Sequence, residues 1–257
     1  MQILLSCAKT MTNKSKVKSP LTSVPLHKEN ASIIALYMAQ RSVDELEEML
    51  RVNPKIALEN QQRYQIFHSP DTAELPAILA YTGIVFKRID PSTFTPADFE
   101  YAQEHLRLTS FGYGLLKPLD LIKNYRLEGD IKLEELNGES LFDYWKDILT
   151  TDFVSEIKNK GQGVLLNLAS DEMKRLFHWK EVERNVRVIT PEFKVWKGDK
   201  LKTVVVYTKM CRGEMTRYVL KNRISRIEDL KDFVWGGFHY EPDLSKGDHW
   251  VFISDQK

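Results

Sequence analysis

The chain has 257 residues, of which 42% are hydrophobic and 28% charged, as in an ordinary globular protein. Its formal net charge of +1 excludes a uniformly polycationic surface, so any nucleic-acid site must be a local patch. Two cysteines, Cys7 and Cys211, are too few for a disulfide framework and indicate a reducing, cytoplasmic location. No apolar run approaches the roughly 18 residues of a membrane helix, and no flexible linker divides the chain, which predicts one domain over residues 1–257.

The first part of the chain is predicted to be helical after one short strand. Gln2 to Ser6 is an apolar run that fits a buried strand. The polar residues 10–30, which include Pro20 and Pro25, predict a long surface loop. The helices predicted next span residues 31–40, 43–51, 53–63, 76–81 and 96–109. Ser42 is the predicted N-cap of the second helix, and Asn53-Pro54 starts the third.

Residues 96–126 predict a helix-hairpin-helix, a motif that holds a nucleic-acid backbone. The first helix would end before Gly112 and Gly114, which can adopt the positive φ of a tight reversal. Lys117-Pro118 would then open a second helix whose free N–H groups could bind a phosphate. The cations of this segment expected to contact phosphates are Arg107, Lys117 and Arg126.

The second part of the chain mixes strands and helices. Gly163 to Leu168 is a continuous apolar run, which indicates a strand buried on both faces. This alternation favours a mixed α/β or α+β fold with a mixed, partly parallel sheet flanked by helices. The other predicted elements are a strand at 131–135, helices at 140–148, 152–159 and 213–223, and a helix that Ser170 caps and whose first turn holds Asp171 and Glu172. They also include a hairpin of 187–196 with 201–208 around Lys197-Gly198-Asp199-Lys200, and a strand pair of 233–240 with 250–253.

Charged residues follow two of the predicted strands. Lys9 comes just after the first strand, and Asp171 and Glu172 come just after the central one. Because the carboxyl ends of neighbouring strands converge in open α/β sheets, we expect these residues to share a cleft with Arg212 or Arg217. The acids would orient cations that bind phosphate, or they would instead form a structural ion network with helix capping.

Basic residues are concentrated in one segment. Residues 174–231 contain sixteen Lys and Arg but seven Asp and Glu, an excess of nine positive charges. Such polarisation can build a basic groove in a nearly neutral protein, although it also describes the solvated faces of helices and hairpins. The DNA-contacting cations predicted outside the hairpin are Lys9, Arg63, Lys209, Arg212, Arg217 and Arg223.

Four motifs carry a resemblance to a known family. They are the hairpin segment 101–128, Ser6–Thr10, Asn167–Glu172 and Lys209–Arg217, and together they resemble the bacterial YaaA family of peroxide stress proteins. The match runs from Ile3 to about Phe238. It implies a cytoplasmic DNA-binding protein, linked to hydrogen peroxide and to control of free iron, with a family-specific fold that contains a helix-hairpin-helix.

Two positions depart from the family pattern. Cys7 stands where the family usually has proline, and Gly83-Ile84-Val85 has an apolar residue where an acidic one is common. These departures bear on any catalytic role of the first loop more than on the fold.

The hypothesis from sequence is a monomeric protein that binds double-stranded or branched DNA with weak sequence specificity and limits iron-dependent DNA damage. The alternative is an enzyme that acts on a small anionic or nucleotide-like ligand in the Lys, Arg and Asp-lined cleft. We predict no cofactor, no metal site and no membrane partner, and no catalytic residue can be assigned. Ser6-x-x-Lys9 has serine–lysine spacing but lacks the companion motifs, and the histidines lack ligand spacing.

Overall fold

The computed structural model describes residues 1–254 and has a mixed α/β fold with mixed sheets. Its strands are β1 (Gln2–Leu5), β2 (Leu75–Pro76), β3 (Leu106–Ser110), β4 (Gly114–Leu116), β5 (Leu121–Ile122), β6 (Val164–Leu168), β7 (Arg187–Ile189), β8 (Glu192–Lys197), β9 (Lys200–Lys202), β10 (His239–Tyr240) and β11 (Val251–Ser254). Its α-helices are α1 (Lys28–Ala39), α2 (Val43–Leu50), α3 (Pro54–Gln65), α4 (Ala77–Ala80), α5 (Ile84–Ile89), α6 (Pro96–His105), α7 (Leu141–Lys160), α8 (Asp171–Lys174), α9 (Trp179–Asn185) and α10 (Val205–Asn222).

The main sheet has the strand order β4-β3-β1-β6-β7. β3, β1, β6 and β7 are parallel, and β4 pairs antiparallel with β3. β1 is central because Ile3, Leu4 and Leu5 are apolar and fully buried, which suits a strand covered on both faces. The parallel strands therefore end at one common edge of the sheet.

A second sheet has the order β10-β11-β8-β9, and β2 pairs with β5 in a small separate sheet. Helix α10 packs against β8 of the second sheet and against α5, so it links this sheet to the segment that follows α4. Buried apolar side chains from both sheets belong to one continuous core cluster. Of the helices described, none is both long and apolar enough to cross a membrane.

The predicted helix-hairpin-helix over 96–126 is wrong. Helix α6 ends at His105, and the chain then forms the antiparallel pair β3–β4. Leu106 and Leu108 are strand residues because Leu106–Ser110 completes the buried parallel sheet beside β1, and this pairing outweighs the local helical pattern. Lys117-Pro118 opens a turn rather than a helix, and the carboxylate of Asp120 accepts the Lys117 N–H at 2.8 Å.

Several other predicted elements differ in the structure. The strand predicted at 187–196 is divided between β7 of the main sheet and β8 of the second sheet. The strand predicted at 131–135 is not formed, since Glu134–Leu136 is a 3₁₀ turn. The helices predicted at 140–148 and 152–159 are the single helix α7. Helix α10 begins eight residues before the predicted start at Gly213, so the second strand of the predicted hairpin ends at Lys202.

Several local signals were read correctly. Ser42 caps α2 and Asn53 caps α3, each accepting a backbone N–H of the first turn. β1, β6 and the β8–β9 hairpin lie where the apolar runs and the Lys197–Lys200 turn place them. These elements were predictable because each has a strong local cause.

Asp98 gives the fold a pH dependence that can be measured. Burial opposes its ionisation, but hydrogen bonds from Lys221 at 2.7 Å, from the Thr95 N–H at 2.8 Å and from Arg223 outweigh this and hold its pKa well below the usual range. Because the pKa of Asp98 is lower in the folded than in the unfolded protein, its ionised carboxylate stabilises the fold above the unfolded-state pKa of about 4. This stabilisation is lost progressively as the pH falls below that value.

We therefore expect Asp98→Asn to lower the free energy of unfolding by about 1.5–3 kcal/mol at pH 7 and by less at pH 3. Urea unfolding of both proteins at the two pH values measures this. If the difference in unfolding free energy between the two proteins does not shrink from pH 7 to pH 3, the stabilisation does not come from the ionised Asp98 carboxylate and its hydrogen-bond partners. Asn222→Ala, at an exposed position of α10, is the control.

Candidate anion-binding cleft

The candidate site lies at the carboxyl edge of the main sheet. β1 pairs with β3 on one side and with β6 on the other, where β7 extends the sheet. The loops that follow β1 and β6 therefore diverge, which is the position where open α/β sheets form ligand crevices. Ser6–Thr10 follows β1, and Ala169-Ser170 follows β6.

Hydrogen bonds fix the two loops against each other. The Ser6 hydroxyl oxygen accepts the Ser170 N–H at 2.9 Å. Asn167 is fully buried in β6, where its side-chain oxygen accepts the Ala169 N–H at 3.1 Å and its side-chain N–H donates to Thr190 at 3.1 Å. The Ser6 hydroxyl therefore joins the two loops. The Ser6-x-x-Lys9 spacing had instead raised the alternative of a serine nucleophile with a lysine base.

Between these loops is a cavity of about 410 Å³, which we call the cleft. Its floor is made of buried apolar side chains, and its rim carries the charged ones. The floor residues are Phe86, Phe111, Leu127, Leu168 and Met173. The charged lining residues are Lys9, Arg126, Glu172, Lys209 and Arg212.

One side of the rim is an ion network. Lys9 Nζ lies 2.6 Å from Glu128 Oε2, and an Arg126 terminal nitrogen lies 3.6 Å from Glu128 Oε1. Arg126 Nε is buried and has no hydrogen-bond partner within residues 1–254. The two cations share one carboxylate, so this side of the rim keeps a net positive charge.

Helix α10 supplies the other side of the rim. Lys209 and Arg212 are three residues apart and therefore lie on the same helix face. Neither side chain has an ion pair or hydrogen bond to any part of the chain that the structure describes. Burial lowers the pKa of Arg212, and the charge of Asp171 opposes this effect. A guanidinium remains charged at neutral pH, so Arg212 is a partly buried cation available to an anion.

The two predicted acids occupy different places. Glu172 lines the cleft, and its carboxylate has no ion pair within residues 1–254. Asp171 does not line the cleft. Its side chain is 94% exposed and lies 2.8 Å from Lys174, whose hydrogen bond and charge lower the pKa of this carboxyl, with a smaller contribution from the charge of Arg212. The structure thus brings Lys9, Glu172 and Arg212 together and leaves Asp171 outside.

Arg217 does not share the cleft with Arg212. The expectation that both face one groove required a helix beginning at Gly213, but α10 begins at Val205 and the two arginines lie on different faces. Arg217 donates to the carbonyl oxygens of Ile89 at 2.9 Å and Asp90 at 3.1 Å. It therefore ties α10 to the end of α5.

Arg223 is also engaged in the fold. One terminal nitrogen lies 2.8 Å from Asp98, and its guanidinium lies over the Tyr101 ring at 4.8 Å. These contacts attach the end of α10 to α6 and place Arg223 outside the cleft.

Most of the cations and glycines predicted to bind DNA in segment 96–126 also lie outside the cleft. Arg107 is 2% exposed and pairs with Glu156, so its charge is already matched within the fold. Gly112 and Gly114 are buried in the β3–β4 turn, where Gly114 has a φ of +70°. Lys117 lies beside Arg107 in a separate depression, and of this group only Arg126 lines the cleft.

Arg63 lies in another open depression of about 660 Å³. It pairs with Glu59 and donates to Asn60 at 3.2 Å, so its charge is already matched. The depression is larger than the cleft but does not lie among the strand ends of the main sheet.

Sequence reasoning missed Glu128. This residue is 8% exposed and contacts both Lys9 and Arg126, yet it lies 119 residues from Lys9 in a loop without a recognisable pattern. Only the fold brings it to the rim. A buried acid beside two predicted cations was the missing element of the site.

Cys7 lines the cleft, but its environment does not favour a thiolate. Burial, followed by the negative charge of Glu172, raises the pKa of the Cys7 thiol to about 12. At pH 7 about one thiol in 10⁵ would then be ionised, and the thiolate is the species that peroxide oxidises. Burial also raises the pKa of Cys211.

The hypothesis of DNA binding drawn from the sequence carries a prediction for this residue: Cys7→Ser should leave DNA affinity, and its response to added peroxide, unchanged. The measurement is a DNA titration of both proteins before and after peroxide treatment. If the parent loses binding on oxidation and the serine variant does not, Cys7 is a redox sensor and this prediction is wrong.

A cationic cleft at the edge of a parallel sheet is typical of proteins that bind anionic ligands. The chain belongs to the peroxide stress protein YaaA family, whose model matches residues 1–244. It is 63% identical to a UPF0246 protein of Bacteroides fragilis over 254 residues, 99% of this chain and 98% of the relative. It is 44% identical to a UPF0246 protein of Porphyromonas gingivalis, covering 99% and 100% of the two chains, and 34% identical to one of Clostridium perfringens, covering 98% and 99%.

Proposed function

We propose that this protein binds DNA through phosphate contacts at the cleft rim, as part of the response to hydrogen peroxide. The observation that carries the proposal is the pair Lys209 and Arg212, two cations without protein partners in residues 1–254 that face the same cavity as Lys9 and Arg126. Contacts to phosphates position a protein on DNA but carry no sequence information directly. Weak sequence specificity follows.

The family supports the biological setting of the proposal. A peroxide stress protein that binds DNA would act in the cytoplasm and would limit iron-dependent damage by occupying the DNA. The helix-hairpin-helix plays no part in the proposal, because segment 96–126 has a different structure.

The proposal is tested by Arg212→Gln, which removes the partly buried cation and keeps most of its volume. Binding should weaken, and the slope of log affinity against log salt should become shallower by roughly one unit, since one phosphate contact is lost. Arg226→Gln is the matched control because it removes the same charge from an exposed side chain that pairs with Asp229 outside the cleft. If the salt dependence of DNA affinity has the same slope in both variants, Arg212 does not contact a DNA phosphate.

The second candidate function is an enzyme that acts on a small anionic or nucleotide-like ligand. It is favoured by the cleft volume, which lies in the usual range for small-molecule sites, and by the Lys9–Glu128 pair on its rim. Incubating the protein with nucleotides and analysing the products decides this candidate. Turnover that is lost in Lys9→Met would make DNA binding secondary.

A further inference from the structure

We infer that the cleft receives a single nucleotide, with its phosphate on the cationic rim and its base on the apolar floor. This inference rests on the proposed function and specifies what part of a nucleic acid enters the site. The nucleotide can be free, or it can be one that is extruded from a DNA strand. Both sources share the chemistry of one base and one phosphate.

The charge of the rim suits one phosphate. Four cations, Lys9, Arg126, Lys209 and Arg212, line the cleft, and two acids stand against them, Glu172 at the rim and Glu128 beneath Lys9. The excess of two positive charges matches the terminal phosphate of a free nucleotide, which carries about 1.5 to 2 negative charges at pH 7. It also matches the two phosphodiesters, with one negative charge each, that flank an extruded nucleotide. A longer run of backbone would need more unpaired cations than this rim provides.

The dimensions of the cleft exclude a duplex from its interior. A volume of about 410 Å³ is that of a small-molecule pocket. Paired DNA can contact the rim, but only one unstacked nucleotide can pass below it. Proteins that draw a base out of the stack hold it in a pocket of this kind.

The floor explains why a base, and not only a phosphate, would enter. Phe86, Phe111 and Leu127 are each 5% exposed or less, as are the other two floor residues, Leu168 and Met173. A purely phosphate-binding site needs no such surface, whereas a base gains from apolar and aromatic contact irrespective of its sequence. The two-part lining is therefore matched to the two parts of a nucleotide.

Glu172 adds a recognition element. Its carboxylate lines the cleft and has no ion pair within residues 1–254, so it repels a phosphate but can accept hydrogen bonds from a base. Adenine and cytosine present amino groups at their edges, and carboxylates accept hydrogen bonds from such groups. Glu172 therefore orients the ligand with its base toward α8 and its phosphate toward α10.

The test compares three probes: AMP, a fully paired duplex, and the same duplex with one bulged adenosine. Extrusion costs less at a bulge than in paired DNA, so the parent should bind the bulged duplex about tenfold more tightly, and AMP should compete for it. Ala8→Phe adds a ring at a position that lines the cleft, so this variant should bind the bulged and the paired duplex about equally. Val234→Phe, which adds the same ring at an exposed position outside the cleft, should retain it.

The outcomes separate this inference from the proposed function. Binding of the paired duplex that depends on Arg212, with neither AMP binding nor bulge preference, overturns the inference and leaves the DNA proposal standing. AMP binding that Ala8→Phe abolishes, without bulge preference, supports the nucleotide site with the free nucleotide as its ligand. If Ala8→Phe does not fold, Ile84→Trp, at another position that lines the cleft, replaces it. A bulge preference that survives in the folded filling variant overturns the inference.

Discussion

Arg107→Ala is expected to lower the free energy of unfolding by about 3–5 kcal/mol. It breaks a largely buried ion pair and leaves Glu156 with only the more distant Lys160, 4.0 Å away, as a partner. Arg107 is 2% exposed, and its Nε donates to Glu156 at 2.8 Å while Nη1 donates to the carbonyl oxygens of Gln103 at 2.9 Å and Leu106 at 2.7 Å. Alanine removes all of these bonds and leaves a cavity. Urea unfolding measures the loss.

Two further variants show that the loss arises from the ion pair. In Arg107→Met with Glu156→Leu, both charges are replaced by apolar groups, so much of the stability should return. Arg63→Ala is the more solvated comparison: Glu59 is largely exposed, so its pair with Arg63 should contribute less than about 1 kcal/mol. If the double variant is no more stable than Arg107→Ala, the unpaired charge is not the cause.

Gly213→Ala is expected to destabilise the protein by about 2 kcal/mol, although alanine is the better helix former. In α10 the substitution should gain about 1 kcal/mol in helix propensity. However, a Cβ at this position would lie 2.4 Å from the Val85 carbonyl oxygen and 2.7 Å from Arg88 Cβ. Overpacking of this kind costs about 1–3 kcal/mol, and more when backbone must move, so the steric effect wins.

Thermal or urea unfolding of Gly213→Ala measures the net sign. The control is Asn222→Ala, which lies on the exposed face of the same helix and should change stability by less than about 0.5 kcal/mol. An increase in stability in Gly213→Ala would mean that α5 can move away from α10 at little cost.

The parts of the fold that could be predicted are those with a local cause. β1 and β6 are short apolar runs, and Ser42 and Asn53 are strong helix caps. The hairpin segment could not be read in this way, since Leu106–Ser110 is a strand only because β1 lies beside it. Its partner is about one hundred residues away in the sequence.

The candidate site was predictable to the same extent. Lys9 and Glu172 follow two adjacent parallel strands, so the rule for strand ends places them in one cleft. Arg107, Arg217 and Arg223 were misplaced because a sequence does not show which cations already have partners inside the fold. Whether a cation is free depends on contacts that only the folded chain defines.

The central position of β1 also determines when this strand can complete its pairing during biosynthesis. Gln2–Leu5 needs Val164–Leu168 along one edge, and this partner leaves the ribosome about 160 residues later. At translation rates of about 5–20 residues per second, the first strand waits roughly 8–30 s for its second neighbour. During this interval an apolar strand edge is open to other chains. The nascent chain is therefore most prone to aggregation before Val164–Leu168 has been synthesised.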